Sequence, residues 1–197
     1  AVYAGESTGV RDDYLTATRL RMFGGTTGHW GGFCRPLDEI DFEKMDWVPG
    51  SIGWPYSRKT LEPWYNRAAA LVESPPFFGA EPAERDLVSP DCELTSLLFR
   101  FSPPTRFGTR YRDEIVASPN ISLFLHSAAS DLRLAPGNKL AQQLEVKRSD
   151  GSTFALTARH FVVALGGHEH PRILLNCNRD QAAGLGNQND LVGRFFS

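Results

Sequence analysis

The sequence is poor in cysteine, and its three, Cys34, Cys92 and Cys177, lie far apart. An odd, sparse set excludes a disulfide framework and lacks zinc-finger spacing. No stretch approaches the roughly 20 apolar residues of a membrane span. An excess of one charge is also missing: 21 Lys plus Arg stand against 23 Asp plus Glu, a net charge of −2. Binding to a phosphate backbone concentrates Lys and Arg, so this balance argues against a nucleic-acid partner. There is no repeat, no Walker A loop, no G-x-G-x-x-G and no G-x-S-x-G elbow. The chain starts at Ala1 without Met or a basic-plus-apolar leader. It ends Arg194-Phe195-Phe196-Ser197, an aromatic pair that would normally be buried. The expectation is a piece of something larger.

What remains is an ordinary globular composition, 41% hydrophobic and 22% charged over 197 residues, enough to bury a real core. Eighteen glycines and thirteen prolines make it turn-rich. Three textures follow one another: 1–35, ending in a glycine-rich run; 36–107, rich in Trp, Pro and Phe; and 108–197, with the clearest strands.

In the middle region Trp54-Pro55-Tyr56-Ser57 reads as a turn into a helix capped by Ser57. Leu61, Trp64, Tyr65, Ala68, Ala69 and Val72 recur at helical spacing. Ser74-Pro75-Pro76 stops that helix, because proline cannot continue the hydrogen-bond ladder. From Phe77 to Pro104 the prolines predict an irregular insertion with one apolar patch at 94–100. A short helix is expected from about Thr109 to Ile115. Asn120–Leu125 reads as a strand. Asp131–Leu134, Leu144–Arg148 and Thr153–Leu156 read as a meander turning at Pro136-Gly137-Asn138 and Ser149–Ser152. Phe161–Leu165 is a continuous apolar run, suited to a strand buried on both faces. Gly166-Gly167 follow, then a helix from Pro171 to Asn176 with Ile173, Leu174 and Leu175 inward. A strand, a glycine pair and a helix in that order place a close backbone approach at a sheet's C-terminal edge, where α/β proteins bind ligands.

The densest feature is Gly24-Gly25-Thr26-Thr27-Gly28-His29-Trp30-Gly31-Gly32. Such a run frees the backbone for positive φ and lets it pass close to another group. It is either a glycine-rich surface loop or a cradle for phosphate, with Thr26 and Thr27 as hydroxyl donors. An imidazole and an indole amid the glycines favour a built loop. Arg19 and Arg21, at strand-like spacing, either support a phosphate or flavin or form surface ion pairs. His168-Glu169-His170 resembles a metal ligand set, but capping of a helix suits it better, and no metal is expected. Cys34 beside His29 has the elements of a nucleophile, though a small buried hydrophobe is the commoner role. Asp12-Asp13 and the acids from Asp38 to Asp46 read as solvated faces.

Three stretches together resemble the glucose–methanol–choline (GMC) oxidoreductases, flavoproteins that oxidise alcohols and sugars. They are Thr18-Arg19-Leu-Arg21-Met-Phe-Gly24-Gly25-Thr26-Thr27-Gly28-His29-Trp30-Gly31-Gly32, Trp54-Pro55-Tyr56-Ser57 with Leu61-Glu62-Pro63-Trp64-Tyr65, and Val162–Gly167 with Pro171–Leu175 and Gly184–Arg194. The resemblance covers most of the chain in order. It implies an α/β fold: part of a three-layer FAD-binding domain crossed by an antiparallel meander, with an inserted substrate-binding segment at 36–107. It implies FAD as cofactor, a small-molecule alcohol or sugar as substrate, and an electron acceptor left open among oxygen, a quinone and a haem partner. Gly24, Gly25, Thr26 and Thr27 would line the flavin diphosphate, with Trp30 and Gly31 beside them. His29 stands where some members carry a histidine bonded to FAD. Backbone contacts to adenine would fall at Ser127–Ser130, including Ala129. Ala164, Gly166 and Gly167 would pass close to the cofactor. The family's dinucleotide motif and its C-terminal catalytic histidine have no counterpart here, so no catalytic residue is assigned, and this chain alone is expected to be inactive. A catalytically inactive binding module without cofactor is the alternative. Without the family's first strand, Phe161–Leu165 would lie open, which predicts self-association.

Overall fold

In the computed structural model, residues 6, 8–9, 14–47, 50–79, 94, 96–137 and 139–194 are described. Asp12, Asp13, Cys92, Asn138 and Phe195–Ser197 lie outside them, as does most of the 80–95 stretch. The chain is mixed α and β and divides into two compact units, 1–123 and 124–197. Among the described residues no helix is long and apolar enough to cross a membrane.

The first unit holds α1 (Tyr14–Ala17), β1 (Phe33–Cys34), α2 (Arg58–Leu71), β2 (Arg100–Phe101), α3 (Phe107–Arg110) and α4 (Arg112–Ala117). Short 3-10 turns occupy Gly25–Gly28 and Glu39–Phe42. Helix α2 starts where the sequence predicts, with Ser57 at its N-cap, although the Ser57 hydroxyl faces Thr60 Oγ1 at 3.4 Å instead of capping the backbone. Ala69 is its one fully buried residue. After Leu71 the chain turns through Glu73 at φ +55° and leaves along Ser74-Pro75-Pro76. The expected helix near Thr109 is present as the two short helices α3 and α4. The 94–100 patch does not form a core: Leu94, Leu97, Leu98 and Phe99 are all exposed. Its end pairs as β2 with β1, placing Phe101 opposite Phe33 with ring centroids 5.0 Å apart.

The second unit is the predicted meander: β3 (Ser127–Leu134), β4 (Ala141–Arg148) and β5 (Thr153–Thr157), antiparallel in the order β3-β4-β5. Alternating residues specify the faces. Asp150 accepts the Ser152 amide at 2.8 Å and Gly151 takes φ +86°, which closes the β4–β5 hairpin. Helix α5 (Glu169–Asn176) packs on the sheet through Ile173, which clusters with Cys177 and Leu185 beyond the helix, with Ala129, Leu132, Leu134, Val163 and Leu174 around them. Leu175, expected inward, is exposed.

Charge locks this packing. Arg133 grips Asp180 with two donors, at 2.9 and 2.7 Å, and the Leu134 amide adds a third bond to Asp180 at 2.8 Å. Arg179 lies 2.7 Å from the buried Asp131 and also binds Glu145. Asp131 accepts no well-aligned hydrogen bond, so its charge is balanced by the nearby guanidinium groups and not by directed donors.

Two predicted strands do not form. Residues 120–125 and 161–165 are irregular, with Ile121, Leu123, Phe124 and Leu125 exposed and Val162 88% exposed. A strand needs a ladder partner, and among the described residues no strand pairs with either segment. Phe124 instead packs on Phe154 at 5.3 Å, and His170 Nε2 lies against the Val163 carbonyl.

The Arg133 pair and the Leu134 amide hold the Asp180 carboxyl down at about 2, below its ordinary 3.8. A depressed folded value stabilises above the unfolded one and is lost as pH falls through the folded one. Wild-type melting temperature should therefore fall between about pH 4 and 2. Asp180→Asn should melt lower at neutral pH and show a shallower acid slope over that window. An unchanged acid slope in thermal melts followed by circular dichroism would remove Asp180 from the acid limb.

Candidate functional site

The glycine-rich loop is built by a backbone crossing. Gly24 and Gly25 take φ +88° and +57°, Gly25 N–H bonds to the Met22 carbonyl at 2.9 Å, and one 3-10 turn runs to Gly28. A Cβ on Gly24 would lie 2.3 Å from the Gly108 nitrogen, and one on Gly108 would lie 2.3 Å from the Phe23 carbonyl oxygen. Gly32 repeats the pattern, with a Cβ position 2.5 Å from the Ser102 carbonyl oxygen. No side chain fits at these contacts, so these glycines are required by the chain itself. Gly25 differs: nothing lies within 4 Å of its Cβ position. At Gly31 a Cβ would press on the Phe33 ring at 3.1 Å.

The polar groups of the loop bond to its own stretch and to the crossing 105–107 backbone. Thr27 Oγ1 donates to the Gly24 carbonyl at 2.5 Å and accepts the Phe107 amide at 3.1 Å. Thr26 Oγ1 accepts the Leu20 amide at 3.4 Å. These hydroxyls, expected as ligand donors, thus brace the loop. Trp30 donates its indole N–H to the Thr105 carbonyl at 2.9 Å, and Arg106 ties the carbonyls of Thr27 and Trp30, each at 2.9 Å. Thr105 is itself buried: its amide donates to Ser102 Oγ at 3.0 Å, and its hydroxyl reaches the Val72 carbonyl at the end of α2 and the Glu73 carboxylate. That hydroxyl and Arg110 hold the Glu73 carboxyl below its ordinary range. His29 sits exposed at the end of the 3-10 turn.

A cleft of about 350 Å³ opens where the loop meets the 106–112 strap, lined by Met22, Thr27, Gly28, Arg106, Thr109 and Arg112. Two guanidinium groups with threonine hydroxyls suit an anion, since arginine presents a planar donor fork to carboxylate or phosphate. Sequence reasoning missed Arg106 and Arg112. The signal was the basic run Arg106-Phe-Gly-Thr-Arg110-Tyr-Arg112, whose relation to the loop needs the crossing at Gly108 to be seen.

The remaining candidates divide between the two units. In the second, Ala129 lies in β3 opposite Val146 and packs on the Ile173–Cys177–Leu185 cluster. Ala164, Gly166 and Gly167 are exposed, and nothing lies within 4 Å of a Cβ built on either glycine. Gly184 is different: its φ is +94° and a Cβ would lie 2.8 Å from Leu175 Cα, so helix α5 demands that glycine. His170 Nε2 lies 2.5 Å from the Val163 carbonyl, and buried Glu169 binds Arg172, so this acid and histidine serve the helix start. Among the described residues no cluster of His, Cys, Asp or Glu is placed to hold a metal ion.

In the first unit, residues 18–21 are not a strand, and Arg19 donates to the Leu15 carbonyl at 3.2 Å. Cys34 is half-buried, and burial pushes its thiol up, which opposes the thiolate a nucleophile needs. Asp38 and Asp41 do more than face solvent. The Asp41 carboxylate accepts the Asp38 amide at 2.8 Å, and Arg35 pairs with Asp38, holding its carboxyl below the usual range.

Compared with protein-family models and with curated proteins, the chain matches none.

Gly24→Ala should cost at least about 2 kcal/mol, since it combines the left-handed φ penalty with a backbone clash. Gly25→Ala should cost only about 1 kcal/mol, the φ penalty alone. Urea denaturation of both variants checks the order, and equal losses would contradict the crossing. Alkylation at Cys34, followed by peptide mass spectrometry against pH, should accelerate only above the ordinary thiol range. Rapid modification at neutral pH would restore the nucleophile reading.

Proposed function

We propose that this chain belongs to a FAD-dependent oxidoreductase of the GMC type, acting on the CH–OH group of an alcohol or sugar. The reading rests on one observation: three motif-like stretches between Thr18 and Arg194 occur in the family's order. A partial three-layer FAD domain with an inserted substrate segment is part of the same proposal. When bound, FAD supplies a hydride acceptor.

The residues present fit the anionic part of that group. Arg106 and Arg112 bring positive charge to one cleft beside Gly28 and Thr109, and Gly25 leaves open space beside its backbone. Arg106 is anchored by two loop carbonyls, so its guanidinium is oriented before any ligand arrives. His29, exposed at the loop's end, is the candidate for a covalent flavin bond. These residues bind and orient; none is assigned as the base toward the alcohol.

A second reading, a binding module without cofactor, is favoured by the loop's self-contained bonding. Thr27 and the backbone at Gly24 and Gly32 are already committed to the 102–108 strap.

The test is the visible absorption spectrum of the protein produced with ample FAD, before and after acid precipitation. Flavin absorbance near about 450 nm is expected, and Arg106→Ala should reduce the bound fraction several-fold. Absorbance staying with the pellet and lost in His29→Ala identifies the covalent residue. A colourless protein that shows no saturable FAD binding favours the module reading.

A further inference from the structure

The three-stranded sheet of the second unit has two edges, and they differ. On β3 the Leu132 amide donates to Cys177 Sγ at 3.2 Å and the Leu134 amide to Asp180 at 2.8 Å, so the segment after α5 takes up donors of that edge. The same strand carries Asp131 and Arg133, and its register against β4 shifts twice. Charges, irregular register and a covering segment are the devices that keep a sheet edge from pairing further. β5 has none of them. It reads Thr153-Phe-Ala-Leu-Thr157, of ordinary strand length, and it pairs with β4 without a register shift. Among the described residues no strand pairs with its far side.

The hairpin decides which groups of β5 point outward. Gly151 N–H bonds to the Arg148 carbonyl at 3.1 Å, and Arg148 N–H to the Ser152 carbonyl at 2.8 Å. Bonded and non-bonded pairs alternate along an antiparallel ladder. Counting on from Arg148–Ser152, the bonded pairs are Val146–Phe154 and Leu144–Leu156. Thr153, Ala155 and Thr157 therefore aim their N–H and C=O groups away from β4. Their side chains share one face of the sheet, and all three are exposed.

A strand that fits this edge must bring outward amides of its own, small side chains and no opposing like charge. A second β5 meets each condition. Laid antiparallel about a two-fold axis at Ala155, two copies set Thr153 against Thr157 and Ala155 against Ala155. Each of these pairs joins outward-facing groups, so each exchanges two hydrogen bonds. Thr–Thr pairs are favourable cross-strand neighbours, and alanine at the axis leaves room. The same register sets Gly151 of one copy against Arg159 of the other, which brings the Asp150 carboxylate beside a guanidinium. On the opposite face Phe154 falls against Leu156, both half-buried, and Phe124 extends this apolar strip from 5.3 Å away. Glu145, the β4 neighbour of Ala155, is already bound by Arg179. The two copies of Glu145 would stand three strand spacings apart, about 14 Å, which exceeds the screening length of about 8 Å.

We propose that β5 is a self-association edge, where two copies of this chain pair β5 to β5, antiparallel about Ala155, and join their sheets into one. The pairing does not depend on flavin binding, and it differs from association through the exposed 161–165 stretch.

Sedimentation equilibrium of the whole chain tests it. A pairing of five residues a side is a small interface, so dimers with a dissociation constant of about 10–500 µM are expected. Ala155→Pro removes the outward amide at the axis and costs β5 no bond to β4, since proline is tolerated where the strand N–H faces solvent. It should raise the dissociation constant about tenfold or more with the circular dichroism spectrum kept. Ala155→Lys sets like charges against each other at the axis and should do the same, and it decides the matter if the proline variant does not fold. Arg159→Glu should weaken the dimer several-fold, whereas Val162→Ser should leave it unchanged. A chain that stays monomeric up to about 500 µM would overturn the proposal. So would a dimer that persists undiminished in Ala155→Lys, or one that Val162→Ser abolishes, which would move the contact to the 161–165 stretch.

Discussion

The first unit depends on one contact, the crossing of the 23–32 backbone over the 102–108 backbone. Two backbones can pass this closely only where no Cβ stands between them, and Gly24, Gly32 and Gly108 each remove the Cβ that would block the approach. Once they cross, the polar groups that would otherwise be stranded find partners. Ser102 N–H bonds to the Gly32 carbonyl, the Trp30 indole to the Thr105 carbonyl, and the Phe107 amide to Thr27. Thr105 then ties the crossing to the end of α2 through Val72 and Glu73. A buried hydroxyl with this many neighbours is well satisfied, and the carbonyls of Thr27 and Trp30 hold the neighbouring Arg106 side chain.

The second unit is organised by a different force. Its core is small, so the placement of the 177–180 segment against β3 relies on charge. Arg133 forms a bidentate pair with Asp180, and Arg179 balances Asp131 and Glu145. Bidentate arginine–carboxylate geometry specifies position more tightly than apolar contact does. Buried Cys177 joins this arrangement by accepting the Leu132 amide at 3.2 Å. Burial and the neighbouring Asp131 raise its thiol, so it acts here as part of the packing.

Much of the secondary structure was legible locally. Helix α2 begins after Ser57 and ends before Ser74-Pro75-Pro76 because capping and proline chemistry act within a few residues. The β3-β4-β5 meander followed from alternation and from Asp150-Gly151 in its hairpin, which are also local signals. Phe161–Leu165 and Asn120–Leu125 read as strands on the same kind of evidence and are not strands. A strand requires a partner, and apolar composition does not say whether one is within reach. The glycine run was legible as a place of close approach, but not what approaches it: the partner, Gly108, is 84 residues away.

Turns, caps, the hairpin and the positions where side chains are missing were readable along the chain, because these depend on each residue's own conformational freedom. What those positions face follows from the folding of distant segments onto one another. That folding set Gly24 against Gly108, brought the Phe107 amide to the Thr27 hydroxyl, gathered Arg106 and Arg112 at one cleft beside Gly28, and left Trp54 and Tyr56 at the mouth of another beside Glu39. These are contacts between distant segments. Their free energy depends on distance and burial, which a linear order of residues does not contain.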